Sequence, residues 1–209
     1  DALIKTLYTM QNDFIPLNTD ERKIYYMQTR ERFNDLKVNG NENINIEKAA
    51  LMIFLNKTCF NGLYRVNKKG LFNVPMGDYK NPLICNEDNL RAVSKKLQNV
   101  TIVCGDYKNS ADFIDEHTFV YFDPPYRPIT DTASFTAYNE NVFNDEEQIS
   151  LAKFINDMHK KGAKIVLSNS DPKNINEQDN FFDELYQNYN IKRVQAYRMI
   201  NSKASARGK

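Results

Sequence analysis

The first part of the chain carries apolar residues at helical spacing. Leu3, Leu7 and Met10 fall on one face of a predicted first helix. A second helix is predicted from Asp20 to Leu36 and a third from Ile46 to Thr58, each with apolar or aromatic residues three or four positions apart. We therefore expect a helical segment whose aromatic residues form a core.

A different pattern follows between residues 59 and 82. Two short runs, Leu63–Val66 and Leu71–Val74, flank the polar loop Asn67–Gly70. A four-residue loop that ends in glycine between such runs predicts a β-hairpin. The hairpin is rich in Arg, Asn, Lys and aromatic residues, and a two-stranded ribbon fits the DNA major groove. The alternative is a structural hairpin with a solvated tip.

From residue 86 onward, helical and strand patterns alternate. The predicted helices lie at 86–97, 110–114, 144–161 and 180–189, and the predicted strands at 100–104, 119–122, 164–168 and 191–197. Such alternation is typical of a doubly wound parallel sheet. The predicted fold class is therefore α/β, with a helical and β-hairpin insertion ahead of the sheet.

The strand Phe119–Phe122 runs directly into Asp123-Pro124-Pro125-Tyr126. A continuous apolar run bounded by a proline turn predicts a buried parallel strand, and ligands of open α/β sheets lie beyond the carboxyl ends of the strands. Neither proline has a backbone N–H, so the carbonyls around them are not committed to a helix or sheet. The stretch could hold a planar amine between a carboxylate, a carbonyl and an aromatic ring. The alternative is that Asp123 caps a turn.

Composition and charge narrow the function classes. The chain has 209 residues and 41% hydrophobic residues, with no apolar run long enough to span a membrane. Its three cysteines have no CxxC spacing, so we expect neither disulfides nor a bound metal, and a cytoplasmic location. We also expect a monomer. Basic residues concentrate in 56–80 (five against one acidic) and 198–209 (four against none), which indicates either local phosphate binding or two solvated loops.

The chain has no glycine-rich nucleotide loop. None of its seven glycines are spaced as GxG, and no P-loop is present. A doubly wound nucleotide-binding sheet normally carries such a loop after its first strand. We therefore expect the first strands of the sheet to lie outside this sequence.

A set of motifs in fixed order gives a specific resemblance. The motifs are Phe60-Asn61-Gly62-Leu63-Tyr64-Arg65, Phe72-Asn73-Val74-Pro75, Gly105-Asp106-Tyr107, Asp123-Pro124-Pro125-Tyr126, Phe135-Thr136-Ala137-Tyr138 and Leu167-Ser168-Asn169-Ser170-Asp171. In this order the chain resembles the Dam-type DNA adenine-N6 methyltransferases over essentially its whole length. The family's N-terminal glycine-rich cofactor motif is absent, so the resemblance implies an internal fragment.

The resemblance implies a fold and a reaction. The fold is a partial Rossmann-like methyltransferase sheet with a helical and β-hairpin target-recognition insertion, divided into a target-recognition domain (1–85) and an incomplete catalytic domain (86–209). The reaction is S-adenosylmethionine-dependent methylation of the N6 amine of an adenine flipped out of double-stranded DNA. Asp123, Pro124 and Tyr126 would be catalytic. Asp106, Tyr107 and Asp123 would bind the cofactor, although Asp106 could instead form an Asx turn.

The resemblance also implies DNA-binding residues. Arg65 would read guanine, Leu63 and Pro75 would contact thymine methyl groups, and Phe60 with Asn61 would fill the stack that adenine leaves. The phosphate contacts would be Lys57, Lys68, Arg198, Lys203 and Arg207, each of which could also be a plain surface charge.

The sequence allows more than one DNA target sequence and more than one class of substrate. Asp78 stands where the family prototype has a basic residue, so GATC is the expected site with one guanine contact in question. One alternative is a DNA-binding fragment without activity. Another is an amino-methyltransferase acting on RNA or protein, against which the basic hairpin argues.

Overall fold

The structure is a computed structural model, and it describes residues 1–40, 45–127 and 143–195. The described residues form two compact units, Asp1–Ile102 and the part from Val103 onward. The helices are α1 (Ala2–Phe14), α2 (Thr19–Asn39), α3 (Ile46–Thr58), α4 (Glu87–Leu97), α5 (Asp145–Lys160) and α6 (Phe181–Leu185), and the strands are β1 (Phe119–Phe122) and β2 (Lys164–Leu167). Short 3-10 helices lie at Phe60–Gly62, Tyr107–Phe113 and Pro172–Asn174.

Asparagine side chains set the start of most of the long helices. An asparagine oxygen accepts a backbone N–H of the first turn in α2, α3, α4 and α5, from the cap positions Asn18, Asn45, Asn86 and Asn144. In α2 the cap is reciprocal, because Glu21 also accepts the Asn18 backbone N–H at 3.0 Å. These caps satisfy N–H groups that the helix itself cannot pair. The predicted helices in these regions are confirmed.

The core of the first unit is aromatic. Phe54 of α3 is fully buried, with its ring centroid 5.1 Å from that of Phe14 and 5.5 Å from that of Tyr25. The edge-to-face arrangement with Phe14 adds to the apolar area that both rings remove from water. Helices α1, α2 and α3 are therefore held together around Phe54.

The second unit is built on a β1–α5–β2 segment. The two strands are parallel, with Phe119 opposite Lys164 and Phe122 opposite Leu167. The buried apolar stripe of α5 packs against this sheet. The Phe122 and Phe154 rings pack edge to face, with their centroids 6.1 Å apart. Gly162 ends the turn after α5 at φ +99, a conformation that favours glycine.

Two predicted strands are absent from the described residues. Residues 100–104 and 191–195 have no strand pairing, and Ile102 and Val103 are 75% and 60% exposed. A strand forms only where a neighbouring backbone pairs with it, and no described strand lies beside these segments. The prediction of a strand at 100–104 is therefore wrong, and so is that part of the predicted strand 191–197 that the structure describes.

The strand before the proline turn is parallel, as predicted, but it is not buried. Phe119 and Tyr121 are 67% and 58% exposed, whereas Phe122 is 9% exposed. Only one face of the two-stranded sheet is covered, because α5 lies on that face. The α/β class is confirmed, whereas a doubly wound Rossmann-like sheet stays a prediction.

The two compact units divide at a different point from the predicted domains. Leu90 of α4 packs against the core of the first unit, and Arg91 forms a 2.9 Å ion pair with Asp1. The first unit therefore extends to Ile102, beyond residue 85. Compactness does not report function, so the division into target recognition and catalysis stays a prediction.

Replacing Phe54 tests the aromatic core. Phe54→Ala should lower the free energy of unfolding by about 3–5 kcal/mol, because it removes a fully buried ring. Ile24→Ala on the exposed face of α2 is the control and should change it by about 0.5 kcal/mol or less. Urea unfolding followed by circular dichroism measures both, and equal losses would contradict the proposed core.

Candidate functional site

Asp123 lies where β1 ends, beside the end of β2. The Ser168 hydroxyl donates to Asp123 Oδ1 at 2.9 Å and accepts from the phenols of Tyr121 and Tyr126 at 3.0 and 3.3 Å. The Ser168 backbone N–H donates to the Phe122 carbonyl at 3.0 Å. The carboxylate is thus held at the carboxyl ends of two parallel strands, the place where such sheets bind ligands.

Several groups of the Asp123–Tyr126 turn remain open. Asp123 is exposed and the Tyr126 ring is 50% exposed. Within the described residues, neither the Pro124 carbonyl nor the second Asp123 oxygen accepts a hydrogen bond. The turn therefore presents two acceptors and an aromatic face.

The neighbouring carbonyl of the turn is occupied. Gln148 of α5, which has no exposed surface, donates from Nε2 to the Pro125 carbonyl at 3.1 Å. Its Oε1 accepts from Asn169 Nδ2 at 3.0 Å, and Asn169 Oδ1 accepts the Arg127 N–H at 3.2 Å. Sequence reasoning assigned no role to Gln148 or Asn169. The available signal was a polar residue at position 148 on the apolar stripe that continues with Leu151.

Arg127, the residue that follows the turn, is held by an ion cluster. Its guanidinium makes two bonds of 2.7 and 3.0 Å with Asp145 and one of 2.7 Å with Asp179, and it lies 4.5 Å from the centroid of the Phe181 ring. The hydrogen bond with Asp145 is the main cause that raises the pKa of Arg127. The hydrogen bond from Arg127 lowers the pKa of Asp179. This ion cluster joins the turn to the first turn of α5 and to the segment before α6.

The predicted cofactor residues lie in the same unit. Asp106 Oδ1 accepts the Lys108 N–H at 2.9 Å, so Asp106 forms an Asx turn. The Tyr107 ring packs at 5.3 Å against Phe154, which also contacts Phe122. Tyr107 and the strand that leads into the proline turn therefore contact one aromatic cluster. The cofactor role of Asp106 and Tyr107 stays a prediction.

In the first unit, the predicted hairpin is confirmed as an antiparallel turn. Its pairing is limited to one bridge between Val66 and Phe72, and Gly70 closes the turn at φ +72. Because side chains alternate along a strand, Phe72 and Val74 are buried while Asn73 lies on the opposite face. Asn73 thereby comes to lie beside Arg65.

Asn73 holds the guanidinium of Arg65. Arg65 Nε donates to Asn73 Oδ1 at 2.8 Å, and Nη2 donates to the Asn73 carbonyl at 3.3 Å. Arg65 is exposed, and its Nη1 has no acceptor in the described part of the chain. One edge of the guanidinium is fixed and the other is available to a ligand.

A row of side chains on α2 supports the second arm of the hairpin. Asn34 both donates to the Phe72 carbonyl at 3.1 Å and accepts its N–H at 2.8 Å. Tyr26 donates to the Val74 carbonyl at 2.9 Å. Arg30 and Lys37, on the same row, donate to the carbonyls of Val74 and Gly70. The row therefore donates to the carbonyls of alternate hairpin residues. The helix thus takes the place of a third strand.

The loop before the hairpin has an unusual backbone. Asn61 and Gly62 have φ values of +54 and +60, and Asn56 donates to the Gly62 carbonyl at 2.7 Å. The Phe60 N–H donates to the Pro75 carbonyl at 2.9 Å, and the Phe60 ring is 39% exposed. These contacts place Phe60 and Asn61 next to the base of the hairpin.

The other predicted DNA-binding residues fall into three groups. Leu63 is half-buried and packs partly against the core of the first unit, whereas Pro75 is exposed. Lys57 and Lys68 are exposed. Arg198, Lys203 and Arg207 lie outside the described residues.

In the described ranges, no three His, Cys, Asp or Glu residues group closely enough to hold a metal ion. No helix of those ranges is long and apolar enough to cross a membrane.

Comparison with known proteins places the chain in a family. The family described as D12 class N6 adenine-specific DNA methyltransferase matches residues 1–200. The chain belongs to this family. The prediction of an adenine-specific DNA methyltransferase is thereby confirmed at the level of the family.

Individual relatives cover nearly all of this D12-class chain. It is 50% identical over 207 residues to the Type II methyltransferase M.MjaIII of Methanocaldococcus jannaschii. This match covers 99% of the chain and 68% of the relative. It is 35% identical over 192 residues to a Type II methyltransferase of Lactococcus lactis subsp. cremoris, covering 91% of the chain and 64% of the relative. It is also 35% identical over 196 residues to the DNA adenine methylase of Escherichia coli, covering 94% and 65%. The chain therefore spans about two thirds of the length of these relatives.

Asp179→Asn should reveal the ion cluster through its pH dependence. Because Arg127 lowers the folded-state pKa of Asp179, the ionised carboxylate stabilises the fold above the unfolded-state pKa of about 3.9. This stabilisation is lost as the pH falls from about 4 through the lower folded-state pKa. Urea unfolding should show wild type more stable than Asp179→Asn at neutral pH, with the difference shrinking in acid. Glu177→Gln, at an exposed carboxylate, is the control, and a pH-independent difference for Asp179→Asn would count against the cluster.

Proposed function

We propose that this protein methylates the N6 amine of adenine in duplex DNA, with S-adenosylmethionine as the methyl donor. The observation that supports this most is the Asp123–Tyr126 turn in a member of the D12 class. Among the described residues, none donates to the second Asp123 oxygen or to the Pro124 carbonyl, and the Tyr126 ring is half-exposed. These are the groups that a planar aromatic amine requires.

The turn would act mainly by orientation. The lone pair of the adenine amine is delocalised into the ring, which makes the nitrogen a poor nucleophile. Asp123 accepts one N–H and the Pro124 carbonyl accepts the other, so the nitrogen is held with its lone pair directed at the methyl group. Tyr126 stacks on the base after the base leaves the duplex. The new N–C bond would form as the S–CH3 bond of the donor breaks, with the neutral thioether S-adenosylhomocysteine as the leaving group and one amine proton released to solvent. The contribution of the residues is positioning and electrostatics.

The cofactor role falls to residues of the same unit. Asp106, Tyr107 and Asp123 would hold S-adenosylmethionine, which supplies an electrophilic sulfonium methyl group when bound. The residues fit such a ligand in chemistry, because the second carboxylate oxygen of Asp106 has no donor in the described ranges and Tyr107 is an aromatic surface. The proposal includes a Rossmann-like sheet of which β1 and β2 are part.

The first unit would select the target. Arg65 presents to guanine O6 and N7 the guanidinium edge that has no acceptor within the described ranges, because its other edge is held by Asn73. Leu63 and Pro75 contact thymine methyl groups, and Phe60 with Asn61 occupies the space that the flipped adenine leaves. GATC is the proposed site. Lys57, Lys68, Arg198, Lys203 and Arg207 would contact phosphates.

A second candidate function is DNA binding without methyl transfer. The observation that favours it is the absence of a glycine-rich loop from this sequence. A plasmid exposed to this chain and to a version extended to the family's length, then probed with methylation-sensitive restriction enzymes, separates the two. Protection by this chain would exclude the second candidate, whereas protection only by the extended version would support it. Protection by neither version would sink the methyltransferase proposal.

Asp123→Ala in the extended version should abolish methyl transfer and leave DNA binding unchanged. The substitution removes an acceptor of the adenine amine and touches none of the residues proposed to bind DNA. Methylation is measured by restriction protection and binding by fluorescence anisotropy. Asp112→Ala, at another exposed carboxylate of the second unit, is the control and should retain activity. Turnover by Asp123→Ala at the wild-type rate would refute the role.

Arg65→Ala should relax base choice at one position of the site. Loss of a bidentate contact to guanine costs about 1–3 kcal/mol on the specific site and little on a site already substituted there. Binding is measured on duplexes that carry each base pair at each position. Lys68→Ala, the control in the hairpin loop, should weaken binding similarly on all of them. Uniform weakening by Arg65→Ala would make Arg65 a phosphate contact instead.

A further inference from the structure

The side chain of Gln148 is polar but has no exposed surface. It lies on the stripe of α5 that continues with the buried residues Leu151, Ala152, Ile155 and Met158. A buried carboxamide costs free energy unless its hydrogen bonds are made. An apolar side chain would pack on this stripe without that cost, so the reason for an amide at Gln148 lies in its hydrogen bonds.

The orientation of that amide is fixed by backbone groups. A carbonyl can only accept, so Nε2 of Gln148 must face Pro125. At the other end of the network, the N–H groups of Arg127 and Ser170 can only donate, so Oδ1 of Asn169 must face them. Asn169 Nδ2 is then left to meet Gln148 Oε1 at 3.0 Å. Each amide has a single orientation that satisfies the network.

We propose that Gln148 is a positioning residue for the Pro124 carbonyl, one of the two acceptors of the target amine. A residue before a proline is held extended, and successive carbonyls of extended backbone point in different directions. Because Gln148 holds the Pro125 carbonyl toward α5, it sets the direction of the Pro124 carbonyl, to which no residue of the described ranges donates. The inference rests on the proposed function of the turn and adds a residue that touches neither the base nor the cofactor.

The network also explains why the residue is a glutamine. One side chain must donate to a carbonyl of the turn and accept from Asn169 at the same time, and a carboxamide does both. Leucine has a similar volume but does neither. Glutamate does both only when it is protonated, since an ionised carboxylate has no donor. The pair of substitutions therefore separates packing from hydrogen bonding.

The test is steady-state kinetics of adenine methylation with Gln148→Leu in a chain of the family's full length. We expect kcat to fall about a hundredfold, as for a reacting group misplaced by about 1 Å. KM for DNA should stay within about twofold, because the DNA-reading residues are unaffected. Ile155→Val, a mild change on the same buried stripe, is the control and should keep the wild-type kcat.

Gln148→Glu supplies a second readout that packing alone would not move. Relative to wild type, its kcat should rise as the pH is lowered, because the buried carboxylic acid regains a donor when it is protonated. The Gln148→Leu ratio should stay flat over the same range. If Gln148→Leu does not fold, the pH profile of Gln148→Glu decides the matter.

Two results would overturn the inference. One is a wild-type kcat in Gln148→Leu, and the other is a flat kcat ratio for Gln148→Glu. Inactivity of the wild-type enzyme on adenine is a different outcome, because it refutes the proposed function itself. Measuring wild type first therefore distinguishes the two failures.

Discussion

Every backbone N–H and C=O that leaves water needs a partner, and irregular segments cannot find theirs in a helix or sheet. In this protein, side-chain amides supply many of those partners. Asn34 pairs with both polar groups of Phe72 in the hairpin. Gln148 pairs with the Pro125 carbonyl after β1, and asparagine oxygens cap α2 to α5. The segments that carry the candidate functional groups are therefore held by side chains of neighbouring helices.

The same constraint decides which polar groups remain available to a ligand. In the proline turn, the carbonyl of Pro125 is taken by Gln148, whereas no described residue donates to that of Pro124. In the hairpin, Asn73 takes one edge of the Arg65 guanidinium and leaves the other. Methyl transfer and target reading would thus rely on the same arrangement. In each, an amide residue hydrogen-bonds one of two neighbouring polar groups and leaves the other oriented toward a ligand.

How far the sequence predicts this structure depends on whether the determining contacts are local. The helices were predictable, because their apolar period and their asparagine caps lie within a few residues of one another. The strand predicted at 100–104 was wrong, because a strand depends on a distant partner that a pattern cannot supply. The roles of Gln148 and Asn169 were missed for the same reason, since their partners lie in other elements. A glutamine on an apolar stripe was the one visible signal.

In the proposed function, the Asp123–Tyr126 turn presents the amine of adenine. Cytosine also carries a planar exocyclic amine, so the identity of the methylated base tests this claim most directly. The measurement is mass spectrometry of nucleosides released from duplex DNA treated with a chain of the family's full length. We expect N6-methyladenine as the sole new nucleoside. Methylation of cytosine at N4, or no methylated nucleoside, would contradict it.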